Sequence, residues 1–239
     1  MTPDRIAELL APFLDGADPN RHRSPGHDGF FHGISTYIDI LLHWNARINL
    51  TAVRDPEEIV TRHFGEGLFA ARHLLPRVPQ ASGAPHASSN FEAARPLRVA
   101  DVGSGAGFPG LPLKLWNPQI SLTLIESNHK KATFLREVSR ALTLTNVDIL
   151  NLRAEDLPAN QCFDIVTLRA VERFDEILPV ASGLVASPGC LGLLIGGMQV
   201  ERAKSICRQF EWQRPFEVPK SRSRVLLLGR RQGTGEPRM

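Results

Sequence analysis

Apolar residues repeat with two different periods along this chain, and the change falls near residue 97. Before it, Ile34, Tyr37, Ile38, Leu41 and Leu42 recur at helical spacing and mark one apolar helix face running to about Trp44. Thr2 followed by Pro3 predicts the start of an earlier helix. Asp55, Pro56 and Glu58 have the order of an N-cap, a first helical residue and the third position of a capping box. They predict a helix that continues to Leu75. After 97 short, nearly continuous apolar runs take over, at 97–102, 121–126, 147–152, 163–169, 190–195 and 224–229. Helical stretches at 110–116, 129–142 and 173–186 separate them. Apolar strands alternating with helices predict an α/β fold with a mostly parallel sheet covered on both faces. The last part breaks the alternation and predicts one antiparallel strand near the C-terminus. The chain thus divides into a helical extension over 1–78, a Pro/Ala/Ser-rich linker or insertion over 79–96, and an α/β unit over 97–239.

Composition narrows the class without changing this picture. The 239 residues suffice for one large domain, and 42% hydrophobic with 22% charged residues is ordinary for a globular protein. No apolar run reaches the roughly 20 residues of a membrane span. The opening MTPDRIAELLAPFLDG has no basic stretch ahead of a long apolar core, so neither a membrane partner nor a secretory signal is expected. Cys162, Cys190 and Cys207 form no metal-type pair and are read as reduced thiols of a cytoplasmic protein. The stretch 15–29 lacks periodicity and reads as a loop. His22 and His27 in it, with His32 after it, fit no metal spacing, and no metal is expected. The formal net charge of +3 and a pI near 9.0 permit a nucleic-acid partner.

Candidate chemistry gathers where the first strand ends. Asp101 is followed by Gly103, Gly105 and Gly107, then Pro109 and Gly110. In an open α/β sheet the first strand-to-helix turn faces the ligand, and glycines let backbone approach it closely. Gly105, Gly107 and Gly110 satisfy the G-x-G-x-x-G dinucleotide pattern. Gly103, Gly105 and Gly107 satisfy the G-x-G-x-G pattern of S-adenosylmethionine enzymes. Asp101 at the strand end suits the cationic amine of S-adenosylmethionine and would repel a pyrophosphate. Glu126 ends the second strand, where an acid binds ribose hydroxyls, and Glu155 follows the third, placed for the adenine. The less favoured reading of either acid is an exposed strand-end residue. A nicotinamide oxidoreductase of the Tyr/Lys type would need a tyrosine at the site, and Tyr37 lies on an N-terminal helix.

Four stretches occur together: WNARINLTAVRDPEEIVTRHF (44–64), VADVGSGAGFPGLPLKL (99–115), IESNHKKATFLREV (125–138) and FDIVTLRAV (163–171). Over roughly 34–200 the chain closely resembles the bacterial ribosomal small-subunit methyltransferase G family, also called glucose-inhibited division protein B. The resemblance implies a class I S-adenosylmethionine methyltransferase with a Rossmann-like fold and a helical N-terminal extension. It implies transfer of a methyl group to N7 of one guanine in 16S ribosomal RNA by a cytoplasmic monomer. Carried over, the family's cofactor contacts fall on Gly103, Phe108, Ala154, Glu155 and Arg169, with Glu126 at the acidic position after the second strand. Leu168 stands where the family usually has serine, and Gly196 where it often has lysine. The stretches 15–33 and 79–96 look like insertions.

The chemistry agrees with that expectation. Guanine N7 already presents a lone pair, so methylation needs no general base, and the strands show no Ser-His-Asp or Cys-His constellation. Catalysis then rests on alignment in a dry site. Arg169 is expected either at the RNA phosphate or guanine O6, or in a salt bridge to Glu155 or Glu126. Lys130, Lys131, Arg136 and Arg140 on one helix, and Lys220, Arg222, Arg224, Arg230 and Arg231 near the C-terminus, are candidate RNA contacts. Arg47, Arg54, Arg62 and His63 could add to them, and Asn45 and Asn49 either cap or stitch the helical segment. The alternatives are a methyltransferase acting on another RNA or a small acceptor, a nicotinamide oxidoreductase, and a non-catalytic module that binds S-adenosylmethionine or RNA.

Overall fold

The computed structural model describes residues 1–14, 27–75, 95–158, 160–170 and 173–232. Most of the 15–33 stretch, the greater part of the 79–96 stretch and the side chains of His22 and His27 lie outside them.

The N-terminal helices start as their caps dictate. Thr2 Oγ1 accepts from Arg5 N at the head of α1 (Pro3–Leu10), and Asp55 Oδ1 accepts from Glu58 N at 2.8 Å ahead of α3 (Pro56–Ile59). The Glu58 carboxylate does not complete a capping box but pairs with Arg62 at 2.7 Å. α2 runs over His27–Asn45, so it begins seven residues ahead of the apolar periodicity at 34 and takes the end of the expected loop into the helix. Asn45 ends it by stitching: its amide donates to Thr51 O while its carbonyl accepts from Leu50 N and Thr51 N. The third helix is not uniform. A π turn over Val60–Gly65 joins α3 to α4 (Glu66–Leu74).

Eight strands form one sheet in the order β3-β2-β1-β4-β5-β8-β6, with β7 also on β8. They are β1 (Arg98–Val102), β2 (Ser121–Ile125), β3 (Val147–Leu150), β4 (Phe163–Arg169), β5 (Val185–Gly196), β6 (Glu211–Trp212), β7 (Phe216–Glu217) and β8 (Arg224–Arg231). The first five pair in parallel and β8 pairs antiparallel to β5, as the broken alternation predicts. The two-residue strands β6 and β7 carry too few residues to show periodicity. β5 starts five residues before the expected 190, because α7 (Phe174–Gly183) stops at a glycine. α5 (Gly110–Trp116), α6 (His129–Ala141) and α8 (Val200–Ile206) complete the cover.

Strand alternation divides the core into two layers. Val99, Leu122, Leu124, Ile165, Leu194, Leu226 and Leu228 pack in one cluster with α6 and the N-terminal helices. Ala100, Val102, Val166, Leu168, Leu191, Leu193 and Leu227 pack on the other side with α7 and α8. The N-terminal helices therefore complete one face of the sheet. Gly67 lets α4 lie close against α5, since a Cβ there would stand 2.8 Å from Pro112 Cβ.

Candidate active site

The sheet order reverses between β1 and β4, and the loop after β1 opens at that switch point. Gly103, Gly105 and Gly107 all adopt positive φ, at 68°, 56° and 85°. Gly103 N and Ser104 N donate to Ile125 O, and Gly105 N donates to Glu126 Oε2 at 2.8 Å. Glu126 Oε1 accepts from Asn128 N at 2.8 Å, which ties the loop to the head of α6. A cleft of about 310 Å³ opens beside this loop, lined by Gly103, Ile125, Ser127, Ala154, Glu155 and Ile177 among others. Three of the expected cofactor residues, Gly103, Ala154 and Glu155, thus meet on one surface.

Asp101, Phe108 and Arg169, also expected at the cofactor, sit behind that surface. Asp101 shares strand parity with Val99, and Arg169 with Ile165, so both point into the layer of the N-terminal helices. Asp101 is fully buried, with Oδ1 accepting from Thr167 Oγ1 at 2.9 Å and Oδ2 from Gly110 N at 3.2 Å. Burial raises its carboxyl to a pKa of about 7 against these hydrogen bonds. The Phe108 ring is stacked on Tyr37 at 5.4 Å and lies 4.9 Å from His63. Tyr37, itself buried, donates to Ala106 O and so clamps the glycine loop from α2. The one tyrosine that an oxidoreductase of the Tyr/Lys type could use is consumed there.

Arg169 makes neither of its expected salt bridges. Its Nε donates to Glu66 Oε2 at 3.0 Å, and its Nη2 donates to Arg62 O at 3.2 Å and to His63 Nδ1 at 2.7 Å. Glu155 and Glu126 are reached from the loops after β3 and β2, whereas Arg169 leaves β4 on the helical face. Glu66, only 3% exposed, also lies 3.4 Å from Arg224 Nε. A guanidinium can only donate, so His63 Nδ1 accepts and its Nε2–H donates to Thr51 Oγ1 at 2.7 Å. Burial and the cations Arg169, Arg62 and Arg224 lower the His63 pKa to about 3. His63 lies within the π turn, three residues before α4 resumes at Glu66, and both side chains are buried. Periodicity gave no sign of that turn or of the buried Glu66, and His63 entered the sequence reading only as a candidate RNA contact.

Two opposite pH dependences follow. His63 titrates lower in the fold than its ordinary 6.5, so its contribution to stability is complete above about pH 6.5 and is lost as pH falls towards 3. Asp101 titrates higher than its ordinary 3.8, so its contribution is complete below about pH 4 and is lost as pH rises through 7. In urea unfolding followed across pH, His63→Gln is expected to leave a stability that declines from pH 4 to 7. Asp101→Asn is expected to leave one that climbs over that range. Unchanged profiles would show that neither group titrates as its burial requires.

A second cleft of about 270 Å³ lies past the ends of β4 and β5, lined by Leu168, Ala170, Phe174, Leu194, Gln199 and Arg224 among others. The N-terminal turn of α7 separates the two clefts, with Ile177 on the first and Phe174 on the second. Ala170, at φ 50°, is a non-glycine residue held in the left-handed region where it lines the second cleft.

A family model described as rRNA small subunit methyltransferase G matches residues 32–220. The chain belongs to that family. Ribosomal RNA small subunit methyltransferase G of Xylella fastidiosa (strain 9a5c) is 36% identical over 77% of this chain and 78% of its own length. That of Xanthomonas axonopodis pv. citri (strain 306) is 39% identical over 76% and 77%. Among solved structures, a ribosomal protein L11 methylase from Lactobacillus delbrueckii subsp. bulgaricus superposes with a TM-score of 0.53 at 15% identity. It covers 72% of this chain and 79% of that one, which speaks to the fold. This member of the methyltransferase G family is an enzyme whose cofactor is S-adenosylmethionine. The first cleft fits that group, with an apolar wall of Ile125, Leu152 and Ile177 for a purine and the exposed Glu155 carboxylate at its rim.

Proposed function

We propose that the chain transfers a methyl group to N7 of one guanine in 16S ribosomal RNA by positioning alone. The observation that carries this reading is the pair of adjoining clefts at the carboxyl ends of the parallel strands, one built on the glycine loop and one beside it. When bound, S-adenosylmethionine supplies an electrophilic methyl group on a sulfonium. Gly103 offers bare backbone and Ala154 a small side chain in the first cleft, and Glu155 offers an acceptor for the adenosine part. Glu126 lies between the lining residues Ile125 and Ser127. It keeps lone pairs beyond its two backbone partners, and these accept ribose hydroxyls. Gly105 joins it to the loop. Asp101, Phe108 and Arg169 hold the loop from behind through Thr167, Tyr37 and the Glu66 pair.

No residue needs to take a proton. His63 fits this reading, since both of its ring nitrogens are engaged. Lys130, Arg136 and Arg140 stand exposed on α6, and Lys220, Arg222 and Arg230 near β8, where they meet RNA phosphates. The reading takes the enzyme as a monomer acting in the cytoplasm on RNA of the small ribosomal subunit.

Titration calorimetry with S-adenosylmethionine tests the residue assignment. Loss of a hydrogen bond to a charged group is worth about 1.5–3 kcal/mol, so Glu155→Ala is expected to weaken binding about tenfold or more. Arg136→Ala leaves it unchanged. Equal affinity for Glu155→Ala and the native protein would remove Glu155 from the site.

A further inference from the structure

We propose that the second cleft receives the target guanine and that the Arg224 guanidinium reads its O6. The inference rests on the guanine-N7 reading above and adds where the base lies and what selects it.

Placement comes first. The cleft adjoins the cofactor cleft across the end of β4, so a base in it meets the transferable group without crossing the sheet. Its walls are Leu168, Leu194 and the half-buried Phe174, a surface on which a planar base displaced from its own stack can rest. Its polar side chains are Gln199, Ser223 and Arg224.

The donor pattern then picks the base. Guanine presents N7 and O6 as acceptors on one edge, whereas adenine presents N7 beside an amino group. Gln199 Oε1 already accepts from Gly196 N at 3.0 Å, so its free amide group can only donate. Arg224 can only donate. Both match an O6 acceptor and oppose an adenine amino group.

Arg224, not Arg169, is the available cation. The Arg169 side chain is 8% exposed and does not line the cleft, and its Nε and Nη2 are engaged by Glu66, His63 and the Arg62 carbonyl. The Arg224 side chain is 26% exposed, and its Nε faces Glu66 Oε1. Among the described residues its Nη groups have no hydrogen-bond partner. Register explains the pairing: Arg224 stands opposite Gly196 on the antiparallel β5–β8 ladder, at the rim of the cleft. Glu66 has a second use here. The Glu66 carboxylate, shared with Arg169, holds the Arg224 Nε at 3.4 Å and so fixes where the guanidinium stands at the rim. Glu66 is thus the positioning residue for Arg224.

The test uses 16S RNA ligated to carry either guanine or 2,6-diaminopurine at the methylated position. The analogue keeps N7 and replaces O6 by an amino group. For the native enzyme kcat/KM is expected to fall about tenfold or more on the analogue. Arg224→Gln, which offers both a donor and an acceptor, is expected to slow transfer to guanine and to bring the two RNAs within a factor of about two. Arg224→Lys keeps the charge beside Glu66 and retains part of the preference. S-adenosylmethionine affinity, measured on each variant, reports whether the first cleft is intact. A native enzyme that ignores the replacement overturns the proposal. So does an Arg224→Gln enzyme that slows on both RNAs in the same proportion. A native enzyme that methylates no guanine in the RNA overturns the guanine-N7 reading itself, which is a different failure.

Discussion

Glu66→Ala is expected to lower the unfolding free energy by about 3–5 kcal/mol, because it strands a buried guanidinium. Arg169 is 8% exposed, and Glu66 is the carboxylate within salt-bridge reach of it among the described residues. Burial already pulls the Arg169 guanidinium below its ordinary pKa, and Glu66 opposes that pull. Without the acid Arg169 keeps a charge with no counter-charge beside it, and Arg224 loses its anchor as well. Glu66→Gln keeps an acceptor for Arg169 Nε and loses only the charge, so its cost is smaller. Urea unfolding of the three proteins checks the order, with the native midpoint highest and Glu66→Ala lowest. By contrast Glu57→Ala removes a partner from a salt bridge to Arg5 that is exposed on both sides, and is expected to leave the urea midpoint nearly unchanged. Equal midpoints for Glu66→Ala and Glu57→Ala would mean that Arg169 finds solvent or another anion when Glu66 is gone.

Gly107→Ala is expected to abolish measurable cofactor binding and to cost about 2–5 kcal/mol of stability, from a left-handed backbone conformation and from overpacking together. Gly107 has φ 85°, and a Cβ there would collide with the Tyr37 hydroxyl and stand 2.6 Å from Leu111 Cδ1. Tyr37 cannot yield cheaply. It is buried between Phe64 and Phe108 and donates to Ala106 O. Gly105→Ala separates the two costs. Its φ of 56° is also left-handed, but a Cβ there would meet nothing nearer than Gly103 O at 3.8 Å. That variant is expected to lose about 1–2 kcal/mol and to keep the loop's shape. Differential calorimetry in the presence and absence of S-adenosylmethionine reads both effects, since a ligand-induced rise in Tm survives only where the loop survives.

The residues that line the first cleft were legible in the sequence. Gly103 follows a strand, Ala154 and Glu155 follow another, and the switch-point rule places both at one rim. The residues behind the rim were not legible as such, although the information was present. Reading LRVADV and FDIVTLR as continuous apolar runs hides their two faces, and it made Asp101 and Arg169 look as if they pointed at the ligand. Counting parity from Val99 and Ile165 sends both to the helical layer. Glu66 went unnoticed because nothing in a helical pattern marks an acid as buried, and its partners are separated from it by more than a hundred residues in sequence. The π turn at Val60–Gly65 breaks no propensity rule and is set by what His63 and Phe64 pack against. The start of α2 at His27 shows the reverse case. Its first turns carry few apolar periodic residues, and packing against α1 and α6 stabilises what local pattern does not.

The most direct measurement is the transfer of a labelled methyl group from S-adenosylmethionine to unmodified 16S RNA, free and in small ribosomal subunits. The product is mapped by the strand scission that N7-methylguanine permits. The account predicts label at a single guanine, and its appearance in one form or the other tells when the enzyme acts. No label on either RNA, with S-adenosylmethionine still bound by the protein, would contradict it.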